Sequence, residues 1–179
     1  MQPTILFFQG AGDGAYDEDH RLVDSLQQSV GNKYRVIYPK MPDEGMPDYT
    51  QWKPVIAKAI EDSSEPLILV GHSLGAYFLV RYLSEETLQK PIRSIHLIAP
   101  PYPWGDKNWE FEDLTLPDNF GAKLPKTKIF LYHSRDDQIV PFAHMALYAE
   151  AVPNAATRTT TDGHQLGNNL AVVAADIVD

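Results

Sequence analysis

The strongest candidate for chemistry in this sequence is the pentapeptide GHSLG at residues 71–75. It directly follows an apolar run, residues 67–70, that predicts a buried strand, and it opens a helical pattern that begins near Leu74. A serine at such a sharp strand-to-helix turn projects its hydroxyl from the edge of the sheet. The flanking glycines fit this turn because side chains there would clash with the neighbouring strand and helix. The pattern therefore predicts Ser73 as a nucleophile.

Candidates for the other members of a catalytic set follow Ser73 along the chain. A serine alcohol is a weak nucleophile at neutral pH, so it needs a general base, and the base needs an acid that orients it. The stretch HSRDDQIVP follows a later apolar run and supplies Asp136 and Asp137, and TDGHQ follows the last weak run and supplies His164. The sequence therefore predicts His164 as the base and one of the two aspartates as the acid.

Six short apolar runs alternate with helical patterns along the chain. Nearly continuous apolar runs are typical of strands that are covered on both faces of a parallel sheet. The alternation predicts an α/β fold, a three-layer α/β/α sandwich with a mostly parallel, doubly wound sheet of about six strands. Right-handed crossovers would bring the carboxyl ends of the strands, and the candidate residues with them, to one edge. The predicted strands are 5–8, 34–38, 67–70, 92–99, 128–132 and 156–160, and the helical patterns are 22–30, 52–60, 74–83, 143–151 and 166–178.

One segment, residues 100–125, breaks this alternation with prolines, aromatic residues and acidic residues. A loop of this length inside a compact domain is usually functional or disordered, and the aromatic residues argue against disorder. We expect one domain over residues 1–179 in which this segment is a short cap or the wall of a site; a packed surface loop is the alternative. The candidates for an apolar acyl pocket are Tyr102, Trp104, Trp109 and Phe111.

The composition argues against several other classes of function. The chain has 179 residues, with 24 Asp and Glu against 15 Lys and Arg, so its formal net charge is −9. An acidic surface repels nucleic acid and anionic membranes, so we expect neither as a partner. The chain has no cysteine, which excludes a disulfide, a thiolate metal site and a cysteine nucleophile. No signal peptide and no apolar run of about 18 residues is recognisable, so a cytoplasmic location is expected.

The three motifs together resemble the α/β-hydrolase superfamily. They follow in that superfamily's order, and the order of elements is similar over essentially the whole chain. The short length and the lack of a large lid are similar to its minimal serine hydrolases, especially the retinoblastoma-binding-protein-9-like group. The resemblance implies that Ser73 is the nucleophile, Asp137 the acid and His164 the base, with no cofactor and no metal. It also implies that Asp136 is a turn residue or a helix-start charge, because the Asp-x-x-Val-Pro spacing favours Asp137.

The resemblance further implies an oxyanion hole made of backbone amides. One amide belongs to Leu74, the residue after the nucleophile. The second belongs to the loop QGAGDG at residues 9–14, where the superfamily often has His-Gly. We assign it to Ala11, with Gly10 and Gly12 as alternatives. The loop matches neither glycine-rich phosphate-binding spacing, so a phosphate ligand is not favoured.

The remaining histidines are expected to have structural roles. His72 should pack or form hydrogen bonds within the turn, His96 should be a satisfied core residue of a strand, and His133 should close a strand. His20 stands beside the acidic residues 17–19. An exposed, acidic helix start is favoured there over a metal site, because no ligand spacing supports one.

The predicted activity is hydrolysis of a small carboxylic ester through an acyl-enzyme. The partner is then a small-molecule acyl substrate. Short or medium acyl chains are favoured because the aromatic residues of the 100–125 segment could wall an apolar pocket, and long-chain lipase activity is disfavoured because there is no large lid. A thioesterase or an amidase with the same three residues is one alternative, since fold and residues are shared by many chemistries. A hydrolase-like scaffold that binds a ligand with little catalysis is another.

Overall fold

Six parallel strands form one sheet in the computed structural model, which describes residues 2–110 and 114–179. Their order across the sheet is β2-β1-β3-β4-β5-β6, and every neighbouring pair is parallel. The doubly wound α/β architecture expected from the sequence is therefore confirmed. The strands are β1 (Thr4–Phe8), β2 (Arg35–Ile37), β3 (Leu67–His72), β4 (Ile92–Ile98), β5 (Lys128–Ser134) and β6 (Ala156–Thr160).

The helices cover both faces of this sheet. Alternate residues of β1 point to opposite layers, as the two-residue period of a strand requires. Ile5 and Phe7 pack with α1 and α6, whereas Leu6 and Phe8 pack with α2, α3 and α5. All four side chains are fully buried. The helices are α1 (Ala15–Val30), α2 (Tyr49–Asp62), α3 (Ser73–Glu85), α4 (Phe120–Lys123), α5 (Ala143–Ala151) and α6 (Ala171–Val178).

The strand order reverses between β1 and β3. From β1 the chain goes outward to β2 on one side, and from β3 it continues to β4, β5 and β6 on the other. In open α/β sheets, ligands bind outside the carboxyl ends of the strands at such a switch point. The loop of residues 9–14 follows β1, and Ser73 follows β3. The loop predicted to supply an oxyanion amide and the predicted nucleophile, Ser73, thus both lie at the switch point.

The C-terminal helix is shorter than its apolar pattern predicts. Residues 166–178 do not form one helix: a short 3₁₀ turn covers Leu166–Asn168, and α6 begins at Ala171. Leu166, Gly167 and Asn168 have φ values of 45°, 60° and 55°. This left-handed backbone cannot continue a right-handed helix.

The segment of residues 100–125 contains little regular structure. It holds one 3₁₀ turn at Lys107–Trp109 and the single turn of α4. Phe111, a candidate for the acyl pocket, lies outside the described residues. Within residues 2–110 and 114–179, no helix is long and apolar enough to cross a membrane.

Candidate active site

The GHSLG motif forms a sharp turn between β3 and α3. Ser73 has a φ of 50°, a strained left-handed conformation for a residue with a side chain. Both flanking glycines are sterically required. A Cβ on Gly71 would lie 2.6 Å from the Cα of Ala76, and one on Gly75 would meet the carbonyl oxygen of Gln9. The close approach of α3 to the neighbouring strands is therefore possible only with glycine at these positions.

His164 and Asp137 lie in direct contact beyond the carboxyl ends of β6 and β5. The Nδ1 of His164 donates to the Oδ2 of Asp137 at 2.8 Å, and the Asp137 side chain is fully buried. Because a carboxylate can only accept, this bond fixes the proton of a neutral imidazole on Nδ1. The Nε2 of His164 is then an acceptor, the state that a general base requires.

The Asp137 carboxylate is held from several sides. Its Oδ1 accepts the backbone amides of Ile139 at 2.8 Å and Val140 at 2.9 Å. Its Oδ2, besides accepting from His164, lies 3.2 Å from the Nε2 of His133. Burial alone would raise the pKa of Asp137, but the hydrogen bonds from His133 and His164 lower it well below its ordinary value. The carboxylate is therefore ionised at neutral pH.

The pKa of His164 is shifted in the direction that suits a base. Burial lowers this pKa, and the hydrogen bond from its ring to Asp137 opposes the shift only partly. Because the neutral imidazole is the form that accepts a proton, a lowered pKa keeps His164 competent at pH 7.

His72 connects the turn that contains Ser73 with the loop that contains His164. The rings of His72 and His164 have centroids 4.7 Å apart, and the Nε2 of His72 donates to the backbone oxygen of His164 at 3.2 Å. Because Ser73 is the next residue after His72, the candidate nucleophile and the candidate base lie at one corner of the sheet edge.

The loop after β1 also reaches this corner. A Cβ placed on Gly10 would lie 3.2 Å from the Cβ of Ser73. The amide of Gly10 donates to the Oδ2 of Asp19 at 2.7 Å, and that of Gly12 donates to the backbone oxygen of Glu44 at 2.7 Å. Of the three candidates for an oxyanion donor in this loop, Ala11 alone keeps its amide without an acceptor among the described residues.

The Glu44 carboxylate fixes the same loop from outside. It accepts the side-chain amide of Gln9 and the backbone amide of Tyr16, each at 2.7 Å, and the amide of Gly14 at 3.2 Å. Three donors on one carboxylate tie both ends of the loop to the segment before α2. Charge-assisted hydrogen bonds to one side chain therefore hold both ends of the loop.

The sequence that forms this arrangement matches a known protein family. The family model described as serine hydrolase matches residues 15–169, a span that includes Ser73, Asp137 and His164. The chain belongs to the serine hydrolase family. No curated protein sequence matches this serine hydrolase significantly.

Solved structures show the same fold at low sequence identity. The esterase domain of a Rhodothermus marinus protein is 16% identical, with a TM-score of 0.70 over 98% of this chain and 84% of that one. The ydeN gene product from B. subtilis is 20% identical, with a TM-score of 0.70 over 99% and 96%. Est1E from Butyrivibrio proteoclasticus, solved with ferulic acid, is 15% identical, with a TM-score of 0.71 over 98% and 86%. The chain thus has the α/β-hydrolase fold.

The two adjacent aspartates of this serine hydrolase have different partners. Asp137 contacts the His164 ring, whereas the Oδ1 of Asp136 accepts the backbone amide of Gly163 at 3.0 Å and is exposed. His96 is a core residue of β4, and burial lowers its pKa to about 3. It therefore stays neutral at any pH at which the fold is expected to be used.

The aromatic residues of the 100–125 segment lie in different places. Tyr102 and Trp104 line a cavity of about 530 Å³, but Ser73 and His164 are not among the residues that line it. Trp109 packs edge-to-face on His144, at 6.2 Å between ring centroids. The role of these side chains in binding an acyl group stays a prediction.

His144 attaches this segment to α5. Its Nδ1 accepts the backbone amide of Tyr102 at 2.8 Å, and its Nε2 donates to the Oδ2 of Asp106 at 2.6 Å. The ring is therefore held on both sides by the first residues of the segment.

One expectation about α1 is wrong. Asp17, Glu18 and His20 are exposed as expected, but Asp19 is buried. Asp19 lies on the same face of the helix as Leu22, three residues later, and this face packs on the sheet. That spacing is the signal by which the buried carboxylate could have been found.

Proposed function

We propose that this serine hydrolase is a carboxylesterase that cleaves small carboxylic esters through an acyl-enzyme on Ser73. The observation that carries the proposal is the buried His164–Asp137 pair beside a strained serine turn. An ester is favoured over other acyl substrates because one structural neighbour is the esterase domain of a Rhodothermus marinus protein. We further propose that the chain falls among the minimal hydrolases of the retinoblastoma-binding-protein-9-like group.

In the first half of the reaction, the Oγ of Ser73 attacks the ester carbonyl carbon while its proton passes to the Nε2 of His164. The tetrahedral intermediate collapses with cleavage of the bond to the alcohol oxygen, and this oxygen takes the proton from His164. The alcohol leaves, and the acyl group remains on Ser73 as an ester. Asp137 stabilises the imidazolium that exists between the two proton transfers.

In the second half, His164 removes a proton from water, and the resulting hydroxide attacks the acyl-enzyme. Collapse of the second intermediate returns the proton to Ser73 and releases the carboxylic acid. The amides of Leu74 and Ala11 are assigned to the oxyanion in both halves. Each such donor stabilises the transition state by about 2.7–4 kcal/mol.

Covalent labelling with a fluorophosphonate tests the assignment of the nucleophile. The wild type should be labelled at Ser73 and should hydrolyse p-nitrophenyl acetate, whereas Ser73→Ala should do neither. Ser84→Ala is the matched control, because Ser84 is a buried serine on the same helix and should be labelled like the wild type. Labelling of Ser73→Ala with wild-type stoichiometry would place the nucleophile elsewhere.

A panel of matched substrates tests the substrate class. The wild type should hydrolyse p-nitrophenyl butyrate faster than the corresponding butyryl thioester and anilide. A higher kcat/KM for the thioester or the anilide would assign the protein to those classes instead. Failure to hydrolyse any member, together with failure to react with the fluorophosphonate, would favour a binding scaffold.

A further inference from the structure

A second buried histidine–aspartate pair lies next to the candidate active site. The Nδ1 of His72 is 2.8 Å from the Oδ2 of Asp19, and each side chain is only 1% exposed. The Nε2 of His72 contacts the backbone oxygen of His164. Both partners of the ring are acceptors, so both ring nitrogens must carry a proton for the two contacts to be hydrogen bonds. The pair is therefore an imidazolium and a carboxylate.

The electrostatics of the site favour the charged form of both residues. Burial opposes the charged form of His72, but the adjacent Asp19 carboxylate raises its pKa overall. Burial likewise opposes the ionised form of Asp19. The charge of His72 and the hydrogen bonds that the Asp19 carboxylate accepts nevertheless lower the pKa of Asp19. Each charge thus stabilises the other in a site that excludes water.

The pair lies on α1 and at the end of β3, and its hydrogen bonds reach two loops. On α1, Asp19 accepts the amide of Gly10 with its Oδ2 at 2.7 Å and the side-chain amide of Gln165 with its Oδ1 at 3.1 Å. His72, at the end of β3, holds the backbone of His164. Gly10 immediately precedes Ala11, and Gln165 immediately follows His164. The pair therefore connects the loop with the oxyanion donor to the loop with the general base.

We propose that Asp19 and His72 form a positioning ion pair, which fixes the oxyanion loop and the general-base loop relative to Ser73. The proposal rests on the proposed esterase function, because it assigns the pair a role in that reaction. Neither residue touches the reacting atoms in this scheme. Their effect passes through the backbone of Gly10 and of His164.

The charge of His72 also acts on the base itself. The groups that face His164 are Asp137 from the loop after β5, His72 from β3 and Asp19 from α1; His133 contacts Asp137 from the other side. The His72 ring, whose centroid lies 4.7 Å from that of His164, repels protonated His164 and lowers its pKa, whereas the Asp19 carboxylate acts in the opposite direction. The intact pair therefore helps to keep the base neutral.

The variant Asp19→Asn separates the charge of the pair from its shape. The oxygen of an asparagine can still accept the amide of Gly10, and its amide can bond to Gln165, whose buried Oε1 has no other partner among the described residues. Without the carboxylate, however, His72 becomes neutral and keeps only one of its two hydrogen bonds. The structural change is therefore small, and whichever hydrogen bond the neutral ring keeps, the continuous link from residue 19 through His72 to His164 is lost.

Steady-state hydrolysis of p-nitrophenyl acetate as a function of pH tests the proposal. Asp19→Asn should lower kcat by about 10- to 100-fold with little change in KM, because misplacement of catalytic groups affects the transition state. The acid limb of kcat/KM should move to higher pH, because loss of the His72 charge raises the pKa of His164. Asp24→Asn is the matched control: it removes a 72% exposed aspartate from a contact with His20 on the same helix, and it should change neither quantity.

A double variant covers the case in which Asp19→Asn does not fold. Asp19→Asn/His72→Gln removes both charges, so it leaves no unpaired charge in the interior, and it should show the same fall in kcat and the same shift of the acid limb. Thermal unfolding and far-ultraviolet circular dichroism monitor the fold of each variant. If folded variants keep the wild-type kcat and pH profile and lose only thermal stability, the pair is purely structural and the proposal is wrong. A wild type that neither hydrolyses esters nor reacts with fluorophosphonate would instead overturn the proposed function, and this inference with it.

Discussion

Asp136 and Asp137 are adjacent in the chain but act on different parts of the loop that carries His164. Asp137 accepts from the imidazole ring and from two backbone amides of its own turn. Asp136 accepts from the backbone of Gly163 and remains in contact with solvent. Asp137 is more buried than Asp136 and accepts more hydrogen bonds, so Asp137 is the residue that can fix the tautomer of His164.

Replacement by asparagine should therefore lower kcat strongly at position 137 and hardly at all at position 136. In Asp137→Asn, the carbonyl oxygen must still accept the amides of Ile139 and Val140, so the new amide group faces His164. A donor at that place forces the proton of His164 onto Nε2, where it can no longer accept a proton from Ser73. We expect kcat for p-nitrophenyl acetate to fall by about 10⁴-fold, the effect expected of a wrong tautomer.

Asp136→Asn is the control for this experiment. Its side-chain oxygen can still accept the amide of Gly163, so kcat should stay within about 3-fold of the wild type, as for exposed substitutions with small effects on stability. A large loss in Asp136→Asn with normal activity in Asp137→Asn would exchange the roles of the two residues.

At the scale of elements, the contact between α3 and the carboxyl end of β1 determines the position of Ser73, the proposed nucleophile. Gly75 lies in the first turn of α3 and faces the backbone of Gln9 without a side chain between them. Gln9 in turn accepts the amide of Met41 at 3.1 Å and donates to Glu44. The position of α3 and the shape of the loop of residues 9–14, the proposed oxyanion loop, are thus coupled through Gln9.

Gly75→Ala should disturb both features at once. A methyl group there meets backbone rather than a flexible side chain, so α3 must shift, and the free energy of unfolding should fall by about 1–3 kcal/mol, the usual cost of overpacking. Urea unfolding followed by tryptophan fluorescence measures this change. Gly45→Ala is the control, because its new methyl meets only the end of the exposed Asp13 side chain. Equal stability of the two variants would contradict the close approach of α3.

The alternation of strands and helices could be predicted from the sequence because local patterns determine it. The nearly continuous apolar run of β3 and the helical spacing in α2 each reflect one buried surface. The left-handed residues Leu166 to Asn168 leave no comparable pattern, so the helix predicted over 166–178 begins too early. The link from Asp19 to His72 spans 53 residues. The helical spacing of Asp19 places this residue on a buried face of α1. Its ion pair with His72, however, forms only in the folded chain and could not be predicted from a local pattern.

At the scale of the whole molecule, net charge should influence which esters react fastest. The formal charge is −9, and at 0.01 M ionic strength such a field extends about 30 Å into solution, against about 10 Å at 0.1 M. A negatively charged ester is repelled during approach, whereas a neutral ester is not.

The ratio of kcat/KM for p-nitrophenyl hemisuccinate to that for p-nitrophenyl butyrate should therefore rise with ionic strength. We expect an increase on the order of a few-fold between 0.01 and 0.1 M sodium chloride, because salt screens the repulsion. The neutral ester is the internal control, since its own kcat/KM should change little. A ratio that falls with added salt would indicate a positive potential at the entrance to the site.

The strand order of the sheet has a consequence for the behaviour of the protein at high concentration. Its two outermost strands, β2 and β6, carry the unpaired backbone groups of the sheet. β2 is only three residues long, and β6 has the polar sequence ATRTT. Short or polar strands with a charged residue are poor templates for another chain. The ends of the sheet therefore protect the molecule against edge-to-edge aggregation, while the apolar strands that would favour it, β1 and β3, lie in the interior.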